Sequence, residues 1–132
     1  MKTRLAAFGI AFGALLYANS ASADEYFKRC VSQGSTSTDF AQCGNAWVER
    51  EEAALTQAWR RAYGGLSTQA AKSSLLAEQR LWISYKDASC KFFNTSEEFG
   101  SIGWSIQLPH CRARVIRERV NQLNDYRQDM GE

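Results

Sequence analysis

Residues 39–65, DFAQCGNAWVEREEAALTQAWRRAYGG, decide the fold class. Phe40, Cys43, Trp47, Ala54, Ala58 and Ala62 recur at steps of three, four or seven, with Leu55 and Trp59 widening the stripe. This is the period of an amphipathic helix. Glu49, Arg50, Glu51 and Glu52 interrupt the stripe and are read as a solvated charged face. Asp39 is read as the N-cap, because its side chain satisfies backbone N–H groups left open by the first turn, and Gly64 with Gly65 supplies the stop. The pattern predicts a first helix over about residues 40–63.

Working outward, a second helical pattern opens after Ser67 or Thr68 and carries Ala71, Leu75, Leu76, Trp82, Ile83 and Cys90, running to about Phe93. Lys72, Glu78, Arg80 and Lys86 fill its other side. The turn between the two patterns is short, which makes the helices antiparallel neighbours. Residues 94–108 mix Ser and Gly with Phe99, Ile102, Trp104 and Ile106, the composition of an ordered loop. Pro109 suits the first turn of a third helix. That helix places Cys111, Val115, Val120, Leu123, Tyr126 and Met130 along one side, and Arg112, Arg114, Arg117 and Arg119 mainly on others. Residues 25–31 are read as one or two helical turns before Gly34. No strand-like alternation and no repeat occurs. The expected fold is all-α: a small disulfide-bridged bundle of about three main helices, with an ordered loop before the last.

The whole chain of 132 residues has 16 Lys and Arg against 14 Asp and Glu, a formal charge of +2. Its N-terminus biases that count. Lys2 and Arg4 precede a mostly apolar run from Leu5 to Tyr17, and a polar stretch then ends in Ala21, Ser22, Ala23, the order of a secretory signal peptide. The run is shorter than the roughly 20 residues a helix needs to span a bilayer, so no stable membrane anchor is expected. Residues 1–23 are therefore assigned to the signal and residues 24–132 to the helical domain, which has 14 basic and 14 acidic groups and a formal charge of zero. A neutral domain lacks the broad positive surface that nucleic-acid binding needs. No run suits a Walker loop, a dinucleotide fingerprint or a zinc protease helix. Cys30 lies seven residues past the cut, too far for a lipoprotein anchor. The expected location is periplasmic or secreted.

The four cysteines, Cys30, Cys43, Cys90 and Cys111, all lie in the exported part and suggest a disulfide framework. Of three possible pairings, Cys30 with Cys43 and Cys90 with Cys111 are favoured, because they close the two short loops and flank helix boundaries. Loops of this size correspond to about 3 kcal/mol each in chain-entropy terms. A zinc site is disfavoured, since no C-x-x-C pair occurs and His110 is the only His. The same residues argue against catalysis. His110 is read as a first-turn surface residue, the cysteines are oxidised, and adjacent acids such as Glu51 with Glu52 or Glu97 with Glu98 diverge on a helix. No catalytic residue, metal or cofactor is assigned.

Residues 76–90, LAEQRLWISYKDASC, carry Gln79, Arg80, Trp82, Ile83, Tyr85, Lys86 and Asp87 ahead of Cys90. This resembles the L-x-x-Q-R-x-W-I-x-[FY]-[RK]-D-x-x-C signature of the lysozyme inhibitor LprI-like family of small exported bacterial proteins. Cys43 ahead of a helix with Leu55 and Trp59 is similar to that family's first segment. Cys111 followed by Arg119 and Leu123 resembles its last, so the likeness covers about residues 30–123. Departures lie in the first helix: the family's Asp is replaced by Glu51 or Glu52, its Leu-Asn by Leu55-Thr56 and its Tyr by Trp59. The resemblance implies a cysteine-bridged helical domain and, for some members, inhibition of lysozyme.

On their own chemistry, Trp82 and Ile83 are read as core, and the signature as a set that locks helix packing and the second disulfide. Arg80 is open to Asp87 or to a carboxylate on another helix. Residues 94–110, enclosed by the Cys90–Cys111 bridge, form the candidate partner-binding loop with Ser96, Ser101, Trp104, Ser105 and His110. Phe99 and Trp104 also suit a small satellite core beneath it. Two functions follow as expectations: a binding protein that occupies the cleft of a lysozyme-type hydrolase, or an envelope interaction protein with a different partner, suggested by the arginines from Arg112 to Arg119. Their default is a solvated face. Action at a membrane surface is disfavoured, since Glu118, Asp125 and Asp129 share that helix. The residues specify no oligomeric state.

Overall fold

The computed structural model describes residues 21–131, with side chains from residue 24 onward. The expected signal segment therefore lies outside the described residues except for its last three, which open the first helix. Five α-helices follow in order: α1 (Ala21–Gln33), α2 (Ser37–Gly65), α3 (Gln69–Ala88), α4 (Ser96–Ile102) and α5 (Leu108–Asp129). A 3₁₀ turn (Lys91–Asn94) precedes α4, and a π-helical turn (Gly103–Gln107) joins it to α5. The fold is all-α, with α2, α3 and α5 as the three main helices.

Local chemistry sets the ends. The N-cap of α2 is Thr36 and not Asp39: the Asp39 N–H donates to Thr36 Oγ1 at 3.1 Å, and the Thr36 N–H donates to Asp39 Oδ2 at 2.9 Å. This capping box starts the helix three residues earlier than apolar periodicity alone indicates. Backbone donation from Ser35, with further hydrogen bonds from Thr36, holds the Asp39 carboxyl below its ordinary pKa. Thr68 caps α3 by accepting from the Ala71 N–H at 3.2 Å. α3 ends at Ala88 rather than near Phe93, because Ser89 is extended and Cys90 adopts a left-handed φ of 68°.

Contacts along the helices define the topology. Gly44 meets Pro109, Glu51 meets Arg117 and Arg61 meets Asn124, so α2 and α5 run parallel. Glu52 meets Lys86, and Glu78 meets both Tyr126 and Arg119, so α3 runs antiparallel to them. The backbones of α2 and α5 pack closely; α3 stands further off. The main core lies between α2 and α5, where Leu55, Ala58, Ala62, Ile116, Val120 and Leu123 are buried. A second core at the N-terminal end of α2 joins Phe27 of α1 to Cys43, Trp47 and Ala113.

The disulfides pair Cys30 with Cys43, Cα atoms 5.7 Å apart, and Cys90 with Cys111, 5.9 Å apart. The first ties α1 to α2; the second ties the end of α3 to the start of α5. Between Cys90 and Cys111 the ordered loop expected there is built from a series of short helical turns. Its Ser and Gly content hid that.

Gly44 is the point of closest approach between α2 and α5, since a Cβ there would lie 2.5 Å from Pro109 Cβ and Cγ. Gly44→Ala is expected to lower unfolding free energy by about 1–3 kcal/mol through overpacking. Gly64, also on α2, has open space around its Cβ direction. Gly64→Ala is expected to raise stability by roughly 0.5–1 kcal/mol through helix propensity. Urea unfolding of the two variants beside the parent checks both signs.

Candidate functional site

Two polar clusters position the exposed surfaces. In the first, Glu51 is 1% exposed. Its Oε1 accepts from Trp47 Nε1 at 2.8 Å and its Oε2 from Arg117 Nε at 2.7 Å, with a second Arg117 nitrogen on Oε1. The expectation of a solvated Glu51 is thus overturned: it sits four residues after Trp47 and four before Leu55, within the buried stripe. Glu52, one residue round the helix, remains accessible and pairs with Lys86 at 3.2 Å.

In the second cluster, Arg119 is 2% exposed and donates from Nε to Gln79 Oε1 at 2.9 Å. Its Nη1 serves Glu78 and Gln122, and the Tyr126 hydroxyl donates to Glu78 Oε1 at 3.1 Å. Long side chains therefore bridge the space between α3 and α5. Arg117 and Arg119 turn inward, so the four-arginine face expected on the last helix is reduced to the exposed Arg114 and the half-buried Arg112.

The signature residues divide accordingly. Gln79 is the one buried side chain of α3. Trp82 is half-buried against the main core, with the Arg119 and Lys86 cations each 5.9 Å from its ring centroid. Ile83 is 41% exposed and corrects the core assignment, since α3 stands too far from α2 to bury that strip. Arg80 is exposed and enters no ion pair among the described residues; Asp87 instead faces Lys86 at 3.7 Å. Tyr85 is 59% exposed.

The bridge-enclosed segment also divides. Ser96, Ser101 and Trp104 face solvent. Ser105 is buried and donates its hydroxyl to the Ser101 carbonyl at 2.6 Å. His110 is half-buried at the start of α5, its ring 5.3 Å from Trp47 and 5.8 Å from Phe27, and its Nε2 is 3.9 Å from Asp24 Oδ1. Ser105 and His110 thus belong to the packing. The satellite core is made by Phe99 with Phe92 and Phe93, at centroid separations of 4.2–5.9 Å, and Trp104 stays outside it. Gly103 is wedged so tightly that a Cβ would lie 2.1 Å from the Phe93 carbonyl oxygen. That contact fixes the turn presenting Trp104 and Ile102, which are 43% and 46% exposed.

Beside this segment a groove of about 390 Å³ opens between α3 and α5, lined in part by Tyr85, Phe92, His110, Arg114 and Glu118. Of these, the sequence points to Tyr85 and His110 as site candidates, and to Arg114 only as one of the arginines of the last helix. The signal for the rest was present in aromatic Phe92 and in Arg114 and Glu118 one turn apart. Among the described residues no cluster of three or more His, Cys, Asp or Glu side chains is placed to hold a metal, and no helix is long and apolar enough to cross a membrane.

A family model described as "Lysozyme inhibitor LprI" matches residues 30–123. That range takes in both disulfides, the Glu51 cluster, the Gln79–Arg119 contact and the enclosed segment. No curated protein and no solved structure gives a significant match.

Glu51→Ala removes the carboxylate from a buried pair and is expected to cost about 3 kcal/mol or more, whereas Glu52→Ala in an accessible pair should cost under about 1 kcal/mol. Urea unfolding of both variants reads the difference. Burial, the hydrogen bond to Glu78 and the negative charge of Glu78 push the Tyr126 phenol above its ordinary pKa. A raised folded-state value gives stability that is complete below the unfolded pKa of about 10 and is lost as pH rises through the folded value. Tyr126→Phe should flatten that alkaline limb, measured as the change in melting temperature between pH 9 and 12.

Proposed function

Because the chain belongs to the lysozyme inhibitor LprI family over residues 30–123, we propose that it is an exported binding protein that blocks a lysozyme-type cell-wall hydrolase by entering its substrate cleft. The observation that carries this reading is the exposed Trp104 on a segment closed by the Cys90–Cys111 bridge and wedged at Gly103. An aromatic anchor on a backbone already ordered before binding gives up little conformational freedom on association. Ile102 extends the apolar contact, and the hydroxyls of Ser96 and Ser101 offer donors to the acid pair of a glycosidase cleft. Glu97 and Glu98, exposed in the first turn of α4, meet the basic rim around such a cleft. The protein acts by occupancy and contributes no catalytic group.

Export is supported by the signal-like residues 1–23 and by two disulfides, which persist in oxidising compartments. The reading in which an arginine face meets some other envelope partner loses its basis in part, since Arg117 and Arg119 are engaged inside the bundle.

The purified oxidised protein is expected to slow lysozyme on cell-wall substrate in a saturable manner; full muralytic activity at large molar excess would remove the proposal. Trp104→Ala should raise the inhibitory constant by tenfold or more, in keeping with loss of an interface anchor. The circular dichroism spectrum and melting temperature should stay near those of the parent. Inhibition by Trp104→Ala equal to that of the parent would move the contact away from this segment.

A further inference from the structure

We infer that the outward face of α3 is a self-association surface, on which a second copy of this chain docks antiparallel to form a two-fold dimer. Ala70, Ser74, Ala77, Leu81, Ser84 and Ala88 recur at alternating steps of four and three, the heptad spacing with which one helix packs against another. All six are exposed, and Leu81 at 74% is the most open large apolar side chain among the described residues. Tyr85, 59% exposed, lies four residues after Leu81 and borders the seam. α3 meets the bundle from its opposite side, through Gln79, Trp82 and Lys86.

The charged residues beside the seam select the occupant. Arg80 and Asp87 flank it on one edge, seven residues or about 10 Å apart along the helix. Arg80 is exposed and enters no ion pair among the described residues; the Asp87 side chain is 63% exposed and stands 3.7 Å from Lys86. Glu78 and Tyr85 flank the other edge at the same spacing, an acceptor and a hydroxyl donor. A helix that carries a cation and an anion in this way is complementary to its own reverse. Turned end for end, each Arg80 meets the partner's Asp87, so one isologous two-fold contact makes both pairs at once. The inference rests on nothing in the function proposed above.

The seam and the charges agree on a single register. With Leu81 over the partner's Ser84 and Ala77 over the partner's Ala88, the Arg80–Asp87 pairs fall on one edge, and Glu78 faces the partner's Tyr85 on the other. Sliding the pair by one heptad in either direction sets Arg80 against Arg80 or Asp87 against Asp87, which like-charge repulsion disfavours. A parallel pair places Arg80 beside the partner's Tyr85 and leaves it without an acid. The overlap from Ala77 to Ala88 is a strip about 17 Å long and one helix wide, well under the roughly 800 Å² per partner of a stable interface, so association is reversible and follows concentration.

Sedimentation equilibrium of the intact, oxidised exported protein between about 10 μM and about 1 mM reads the association directly. The weight-average mass is expected to climb from one protomer toward two over that range. Leu81→Arg should hold it at one while keeping the melting temperature of the parent. Arg80→Glu and Asp87→Arg each set like charges face to face and should weaken association about fivefold or more, whereas the two together restore the pairs with their signs exchanged and should recover it. A mass that stays at one protomer up to about 1 mM overturns the inference. So does association that Leu81→Arg leaves intact, which puts the dimer on another face, and so does a double variant that fails to recover, which removes the antiparallel register. If the parent is monomeric and Leu81→Arg instead loses binding to lysozyme, the face belongs to the enzyme contact and the inference falls.

Discussion

The Glu51 carboxylate, sealed between α2 and α5, is the constraint on which the rest of the bundle depends. Parallel helices cannot be joined by a short turn, so nothing in the local connection sets how far one is advanced along the other. An apolar seam of Ala, Leu and Val tolerates sliding. A buried charge does not: it requires its guanidinium and its indole N–H at one advance only, because any other leaves an ion unpaired in the interior. Trp47 and Arg117 supply those partners. Gly44 against Pro109, about two turns before, and Arg61 against Asn124, about two to three turns after, agree with the same register.

α3 is attached on a different principle. Its backbone stays back from the α2–α5 pair, and the gap is filled by reach: Arg119 to Gln79 and Glu78, Tyr126 to Glu78, and Lys86 to Glu52. This accounts for two positions of the LprI-like signature in physical terms, since Gln79 and Arg119 lie far apart in sequence yet share one hydrogen bond. It also explains why the seam remains open as a groove. Side chains that act as struts hold two helices together without closing the space between them.

Much of this was legible in the residues. Helical periodicity located α2, α3 and α5, loop size pointed to the disulfide pairing, and Pro109 marked the start of α5. The family likeness from Cys30 to Leu123 coincides with the matched range. What escaped depended on tertiary partners. Glu51 looks like its neighbours until its place on the four-residue step between Trp47 and Leu55 is noticed, and its partner is an arginine 66 positions away. Ile83 carries the period of a core residue, but burial needs a facing surface, and the stand-off of α3 removes it. Ser105 and His110 have the chemistry of recognition, yet their local geometry turns one onto the Ser101 carbonyl and sets the other against Trp47. Residues 94–108 read as an ordered loop because Ser and Gly are mixed with scattered apolar residues at no sustained helical period, while short helical turns form readily when a bridge closes the chain around them.

Both disulfides, the second core and the Gly44–Pro109 contact lie at one end of the bundle, where α2 and α5 begin and α3 finishes. At the other end, around Ala62, Leu75 and Tyr126, no covalent link occurs among the described residues, and a hollow of about 390 Å³ separates the helix ends. The molecule is therefore graded in cooperativity, a cross-linked head continuous with a tail whose backbone amides open to solvent more readily. Trp104 and the aromatic trio ride on the head, and their spacing is insulated from breathing at the tail. The α3–α5 groove starts at this cross-linked head and ends where Arg119 crosses to Gln79 and Glu78, so sulfur fixes one end of it and hydrogen bonds the other.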